Sequence, residues 1–409
     1  MILRKIWVLI FIISVCALAG IWVSGIWVGG CASTEIAAPA TTTTTSTSAS
    51  TSTSTSTSTS TSSATTIPTG NYSVSGEVKF AMTSDAVKGG VAIAISGPII
   101  LNVVTDSNTG NYTANGLPGG SYTITASKMG WISSVESIVL SADLSKDFRL
   151  FPANWEVVNY NSSGGVLDSI TPAGPVKRFA AGGDLAGNAI YLGSYDTGES
   201  WAPSVSVPTN EPLVQTSVIV INVRRAVDRL SRIWHTTDDG ISWTYQATLT
   251  SEPIAAVTFN GIYSFRMTWE VVTESGKVLQ TLNSGESYTD ITPSGTGVPL
   301  DIMGFIPNLI YVVGTNGLAK RWNGVSWSSI GDLETVAAGK DLTAIIINGN
   351  YCAACSSDGL IFISTNGSST WTEEIGGIPY PLRAAITMGS DTFKNALVSG
   401  GNQLIMRHY

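Results

Sequence analysis

The chain predicts an all-β protein in which a small antiparallel β-sandwich is followed by a six-bladed β-propeller. Three observations carry this. A tryptophan-ended turn returns about every 42 residues through the C-terminal two-thirds. The stretch before it, residues 70–151, is a series of short β-rich segments broken by Gly, Pro, Asn and Asp. The strand that the last repeat lacks stands at the head of the first. A fixed period of this length marks repeated four-stranded units arranged in a ring.

Composition agrees. Charged residues are 12% of the 409 and glycines number 42, a balance suited to strands and tight turns. The formal charge of −8 becomes −10 when Arg4 and Lys5 are left out with the first 30 residues. Such an acidic chain is not built for nucleic acid, whose binding needs a basic stripe to displace counterions.

Residues 1–31 read as a signal or membrane anchor. Arg4 and Lys5 precede an apolar run from Ile6 to Gly30, long enough at ~1.5 Å per residue to cross a ~30 Å hydrocarbon core. The run ends in Val28-Gly29-Gly30-Cys31, which resembles a bacterial lipoprotein signal. The resemblance implies that Cys31 is lipidated and becomes the new N-terminus; an uncleaved anchor helix is the alternative. Both readings tether the protein to a membrane outside the cytoplasm. Cys16 follows the bulky Val15 and does not fit a cleavage site.

Residues 32–69 read as a disordered stalk. From 41 to 66 only Ala49 and Ala64 interrupt Ser and Thr. Such a tract has no apolar surface to offset the entropy of ordering it. As a flexible coil its 26 residues span about 25–31 Å, enough to hold a folded head clear of a membrane.

Within residues 70–151, strands are expected at Tyr72 to Phe80, Gly90 to Ile95, Ile99 to Thr105, Ser121 to Ser127 and Val135 to Leu140. Between them lie Thr109-Gly110-Asn111-Tyr112, the corner Gly116-Leu117-Pro118-Gly119-Gly120-Ser121-Tyr122, and Gly130-Trp131. Pro118 fixes φ, Gly119 and Gly120 permit positive φ, and Tyr122 can then turn inward. This resembles the carboxypeptidase regulatory-like domain, a transthyretin-type sandwich, with Trp131 in place of the usual Tyr. The resemblance implies an accessory or spacer module without catalytic residues.

Residues 154–409 hold the repeat. Its copies are Ser194-Tyr195-Asp196-Thr197-Gly198-Glu199-Ser200-Trp201, Thr236-Thr237-Asp238-Asp239-Gly240-Ile241-Ser242-Trp243 and Thr281-Leu282-Asn283-Ser284-Gly285-Glu286-Ser287-Tyr288. Weaker copies end at Trp327 and Trp371. The pattern resembles the Asp-box, or bacterial neuraminidase repeat, which implies a hairpin between the third and fourth strands of each blade. Asp196, Asp238 and Asn283 cap turn amides, Gly198, Gly240 and Gly285 take left-handed conformations, and the aromatic packs beneath. In the fourth copy Trp322 stands where Asp is expected; in the fifth Asn366 fits but Ser368 replaces the glycine. Marks at 155, 201, 243, 288, 327 and 371 give intervals of 46, 42, 45, 39 and 44. Trp155 to Val158 therefore reads as the closing strand of a sixth blade that begins at the C-terminus. A seven-bladed ring, the alternative, needs a further repeat.

Chemistry is less legible. Sialidases share the Asp-box but also use three arginines, a Tyr nucleophile with its Glu, and an Asp acid. Their Phe-Arg-Ile-Pro string is missing, with Phe265-Arg266-Met267 the nearest and mid-propeller. Carboxylates scattered over the blades can converge as acid and base; Glu211, Glu252, Glu270 and Asp301 have no role in the turns, yet nothing in the sequence singles them out from solvated loops. Cys352 and Cys355 fall in one strand, where residues three apart face opposite sides, so buried thiols are expected over a disulfide. With His235 and His408 the only histidines, no metal site and no cofactor are expected. Arg224, Arg225, Arg229 and Arg232 form the one basic cluster, either an acidic-partner site or an exposed hairpin tip.

The repeat also resembles the photosystem II stability and assembly factor-like family, whose members act by binding proteins. The expectation is therefore a tethered, monomeric surface protein whose propeller binds an extracellular protein or glycan without catalysis. The alternative is a sialidase-like glycoside hydrolase.

Overall fold

The computed structural model describes residues 71–409 apart from 174, 205, 206, 221, 222, 239, 261–267 and 387–395. The expected anchor with Cys31, the stalk of residues 32–69 and Phe265-Arg266-Met267 lie outside the described residues. Among the described residues no helix is long and apolar enough to cross a membrane.

Residues 72–152 pair into two sheets. One orders Asn111–Leu117, Tyr72–Phe80, Phe148–Pro152 and Trp131–Ile132, with Leu144–Ser145 also on Tyr72–Phe80. The other orders Ile100–Val104, Ala92–Ser96, Gly120–Ser127 and Ser134–Leu140. Pairing is antiparallel except where Tyr72–Phe80 runs parallel to Leu144–Ser145 and Phe148–Pro152. Alternation sets the core: Ile93 and Ile95, then Tyr122, Ile124 and Ala126, are buried while their neighbours face out. At the corner Tyr122 turns inward and its hydroxyl donates to the Pro118 carbonyl at 2.9 Å.

The chain after Asn154 forms six four-stranded antiparallel sheets among the described residues. Their first strands are Val166–Ala173, Leu213–Val220, Ile254–Asn260, Pro299–Ile306, Leu342–Asn348 and Leu382–Ile386, which begin blades 1 to 6. Each first strand packs on the next, and blade 6 packs back on blade 1. The ring closes as the repeat predicts: Trp155–Asn159 pairs antiparallel with Ile405–His408, Trp155 opposite His408. The closing strand is the outermost of blade 6 and covers the edge that Ile405–His408 would otherwise leave open.

The aromatic that ends each turn does more than pack beneath it, because it reaches the preceding blade. Trp243 of blade 2 meets Tyr191 of blade 1 edge-on at 5.5 Å. Tyr288 of blade 3 donates to the Leu249 carbonyl at the end of blade 2, and the Trp327 indole of blade 4 donates to the Ile291 carbonyl at 2.6 Å. Trp371 packs with Tyr311 and Val313 of blade 4. The aromatics are wedges between blades, each filling a seam with apolar area.

Sandwich and propeller share one apolar cluster, in which Trp131, Phe80 and Val87 join Ile375, Ile378 and Tyr380. Gly130 sits at φ +78, where a Cβ would lie 2.5 Å from the Glu374 carbonyl oxygen, so glycine is required at this close approach.

Candidate functional site

The six first strands surround a channel, and each carries a β-bulge near its start. Register breaks fall at Asp168, Val214, Ala255, Leu300, Thr343 and Arg383. A bulge leaves one residue unpaired and re-aims its side chain. All six bulge residues line one cavity of about 320 Å³. The ring they make is divided: Val214, Ala255 and Leu300 are consecutive and apolar, while Thr343, Arg383 and Asp168 are consecutive and polar.

Strand direction says which end this is. The first strand runs away from its bulge, the second returns and the third runs parallel to the first. The tryptophan-ended turns after the third strands therefore lie at the opposite end of the blades. The turns between second and third strands lie at the bulge end, and they bring Asp184, Arg229 and Glu274 to the cavity.

Deeper in the channel is a second cavity of about 500 Å³. Asp168, Asp301 and Arg383 line both and so mark the waist between them. Asp301 follows the blade 4 bulge and accepts the backbone N–H of Ile345 on blade 5 at 2.9 Å. Ser169, in the same place on blade 1, accepts the Thr216 N–H of blade 2 at 3.0 Å. Asp301 is thus a staple between inner strands as well as a channel group. Crowding by those strands pushes its carboxyl up to about 7, against the two backbone N–H groups that favour its charge. Burial also raises Asp168, opposed by Arg383 and Arg229.

Asp168 and Arg383 differ from the rest of the mouth. Thr343 donates to the Leu382 carbonyl, Arg229 is ion-paired with Glu274, and Asp184 is capped by Ala186 and Asn188 of its own turn. Among the described residues the Asp168 carboxylate accepts no hydrogen bond, and Arg383 has a buried Nε without an acceptor. An acid and a base thus sit on adjacent blades, near enough to feel each other yet not joined.

The other residues singled out by sequence fall elsewhere. The turn residues make one repeated network: Ser194, Thr236 and Thr281 donate to Asp196, Asp238 and Asn283 at 2.8, 2.6 and 2.9 Å. Those acceptors take the N–H of Ser200, Ser242 and Ser287 at 3.0, 2.9 and 3.0 Å. The glycine N–H of Gly198, Gly240 and Gly285 returns to the first hydroxyl. In the fourth copy Asn323 caps Val325 and Ser326 in place of an Asp at 322. In the fifth, Asn366 caps Thr370, and Ser368 takes φ +67.

The basic cluster is dispersed and is no exposed tip. Arg224 is 2% exposed, with its guanidinium 3.5 Å from the Phe179 ring centroid. Arg225 is half-buried near Phe259. Arg232 binds the fully buried Asp228 at 2.7 Å, and only Arg229 reaches the channel mouth. Cys352 and Cys355 are buried free thiols on opposite faces of Tyr351–Ser356, Cys352 toward blade 4 and Cys355 toward blade 6. Glu252 pairs with Lys277. Glu270 is wholly buried against Gln280, and burial pushes it up to about 8. Among the described residues no cluster of three or more His, Cys, Asp or Glu is placed to hold a metal ion.

Fold and site together define a β-propeller fused to a β-sandwich, with a polar waist in the propeller channel. No family model matches the chain. A stretch of 117 residues, 28% of the chain, is 38% identical to Chitinase ChiA of Flavobacterium johnsoniae, and the match spans 7% of that protein. Among solved structures, YCF48 bound to D1 peptide covers 62% of the chain and 95% of its own at 13% identity and a TM-score of 0.46. YCF48 from Cyanidioschyzon merolae is similar over 63% and 99%, at 13% and 0.44. The GH74 xyloglucanase from Xanthomonas campestris covers 63% and 54%, at 14% and 0.41. The propeller assignment rests on the chain's own strand pairing.

Proposed function

We propose that the chain is a membrane-tethered extracytoplasmic binding protein. A lipid at Cys31 or an uncleaved helix anchors it, the Ser/Thr tract extends it, and the Asp-box propeller recognises a protein or glycan at the bulge-ring mouth without catalysis. The carrying observation is the pair Asp168 and Arg383 in one cavity: among the described residues the Asp168 carboxyl accepts no hydrogen bond and the buried Nε of Arg383 finds no acceptor. Unmet polar groups in a concave site are what a ligand satisfies. The turn residues serve the blades, which leaves recognition to channel residues that do not repeat. The stretch shared with a protein titled chitinase favours a glycan.

A glycoside hydrolase is the second reading, and one observation favours it. Asp301 sits up at about 7, the state of a general acid, and Asp168 shares its channel. Glycan and peptide arrays probed with the full chain separate the two. Saturable binding that is lost in Arg383→Met, with no product formed, supports the binding protein. Turnover abolished by Asp301→Asn or Asp168→Asn establishes the hydrolase instead.

A further inference from the structure

The bulge ring has a chemistry that selects among ligands. Asp168 offers an acceptor and the Nε of Arg383 a donor from neighbouring blades, and among the described residues neither has a hydrogen-bond partner. Across the same cavity Val214, Ala255 and Leu300 present a continuous apolar arc. A ligand group that matches all of this is neutral, points an N–H toward one blade and a C=O away from it toward the other, as a trans secondary amide does, and carries an alkyl group to one side.

Charged groups fit worse. An ammonium ion satisfies Asp168 but leaves Arg383 unmet and meets its positive charge. A carboxylate satisfies Arg383 but brings no donor for Asp168. A peptide amide in mid-chain has residues on both sides and needs a groove, whereas the mouth is a ring of six strands that admits a pendant group end-on. At about 320 Å³ the cavity is at the small end of the roughly 300–1,000 Å³ of ligand sites.

We infer that the mouth takes the pendant acetamido group of a neutral N-acetylated hexosamine: its N–H to Asp168, its carbonyl to Arg383, and its methyl against Val214, Ala255 and Leu300. The inference rests on the reading of the mouth as the recognition site. Glycan specificity then follows from chain residues that the tryptophan repeat does not contain.

The test is calorimetric titration of the unaltered full-length chain with trimers of N-acetylglucosamine, glucosamine and glucose. The acetylated trimer is expected to bind, and the other two to bind weaker by roughly tenfold or more, since the ammonium of glucosamine leaves Arg383 without an acceptor and neither trimer carries a methyl for the apolar arc. In saturation-transfer NMR the acetyl methyl is expected to be the most strongly saturated group. Equal affinity for the three trimers, lost together in Arg383→Met, overturns the acetamido assignment and leaves the mouth as the site. Acetylated-trimer binding unchanged in folded Arg383→Met and Asp168→Ala overturns both. If no trimer binds while a peptide does, in a manner that needs Arg383, the acetamido assignment alone falls.

Discussion

The indole N–H of Trp131, in the sandwich, donates to the carbonyl of Gly376, in blade 5, across 2.7 Å of buried interface. Trp131 also meets Phe80 edge-on at 5.4 Å, and beside it Lys88 donates its backbone N–H to Gly377 at 3.1 Å. Trp131→Phe keeps most of the apolar area but leaves a buried carbonyl unmet, at about 1–3 kcal/mol. Because the core is shared, sandwich and propeller are expected to melt in one transition that shifts down as a whole. Calorimetry showing two separated transitions would contradict the shared core.

The wedge aromatics carry blade-to-blade packing. Trp243 is 8% exposed and packs with Tyr191, Phe179 and Leu213. Trp243→Ala is expected to lower stability by about 3–5 kcal/mol, measured by urea unfolding. A loss under about 1 kcal/mol, the scale of a surface change, would show that the turn rather than the seam is what the residue serves.

Asp196 is held down at about 2, first by the Ser200 hydroxyl and N–H, and Asp238 is held lower still by Ser242 and Thr236. Their folded values lie below the ordinary 3.8. The stability they contribute is therefore present above about pH 4 and is lost as pH falls through the folded values. Asn is native at 283 and 366, so Asp196→Asn with Asp238→Asn keeps the turn geometry. The double variant is expected to be less stable at pH 7 and to lose less between about pH 4 and pH 2. Acid unfolding curves that superpose after normalisation would refute this.

Asp301 and Glu270 have the opposite sign. Their folded values, about 7 and about 8, lie above the ordinary 3.8 and 4.5. In the window between, the folded state binds more protons than the unfolded one, so stability falls as pH rises. Asp301→Asn keeps an acceptor for Ile345 and removes the titration. Its stability is expected to decline less than the parent's from pH 4 to pH 7 by urea midpoint; an unchanged slope would mean that Asp301 titrates normally.

Local chemistry was legible in the sequence, and tertiary chemistry was not. The turns could be read because Asp196, Gly198 and Trp201 act within eight residues. The closure could be read because Trp155-Glu156-Val157-Val158 repeats the strand that follows each turn. Asn323 was hidden by a shorter turn that moves the cap one place along. The bulge ring stayed invisible because its six residues share a position and not a type. Only the apolar residue before five of them, Leu167, Leu213, Ile254, Leu342 and Leu382, hints at a repeat. Arg224 read as part of a surface cluster because its stacking partner Phe179 lies 45 positions earlier, in another blade.

The most direct measurement of the central proposal is amide hydrogen exchange of the full chain with and without a saturating array-selected ligand. Recognition at the bulge-ring mouth predicts new protection in the turns 184–188, 229–231 and 274–276, whose Asp184, Arg229 and Glu274 line one cavity with Asp168 and Arg383. Protection confined to the tryptophan-ended turns, 196–200, 238–242 and 283–287, would place the ligand at the opposite end of the propeller and contradict it.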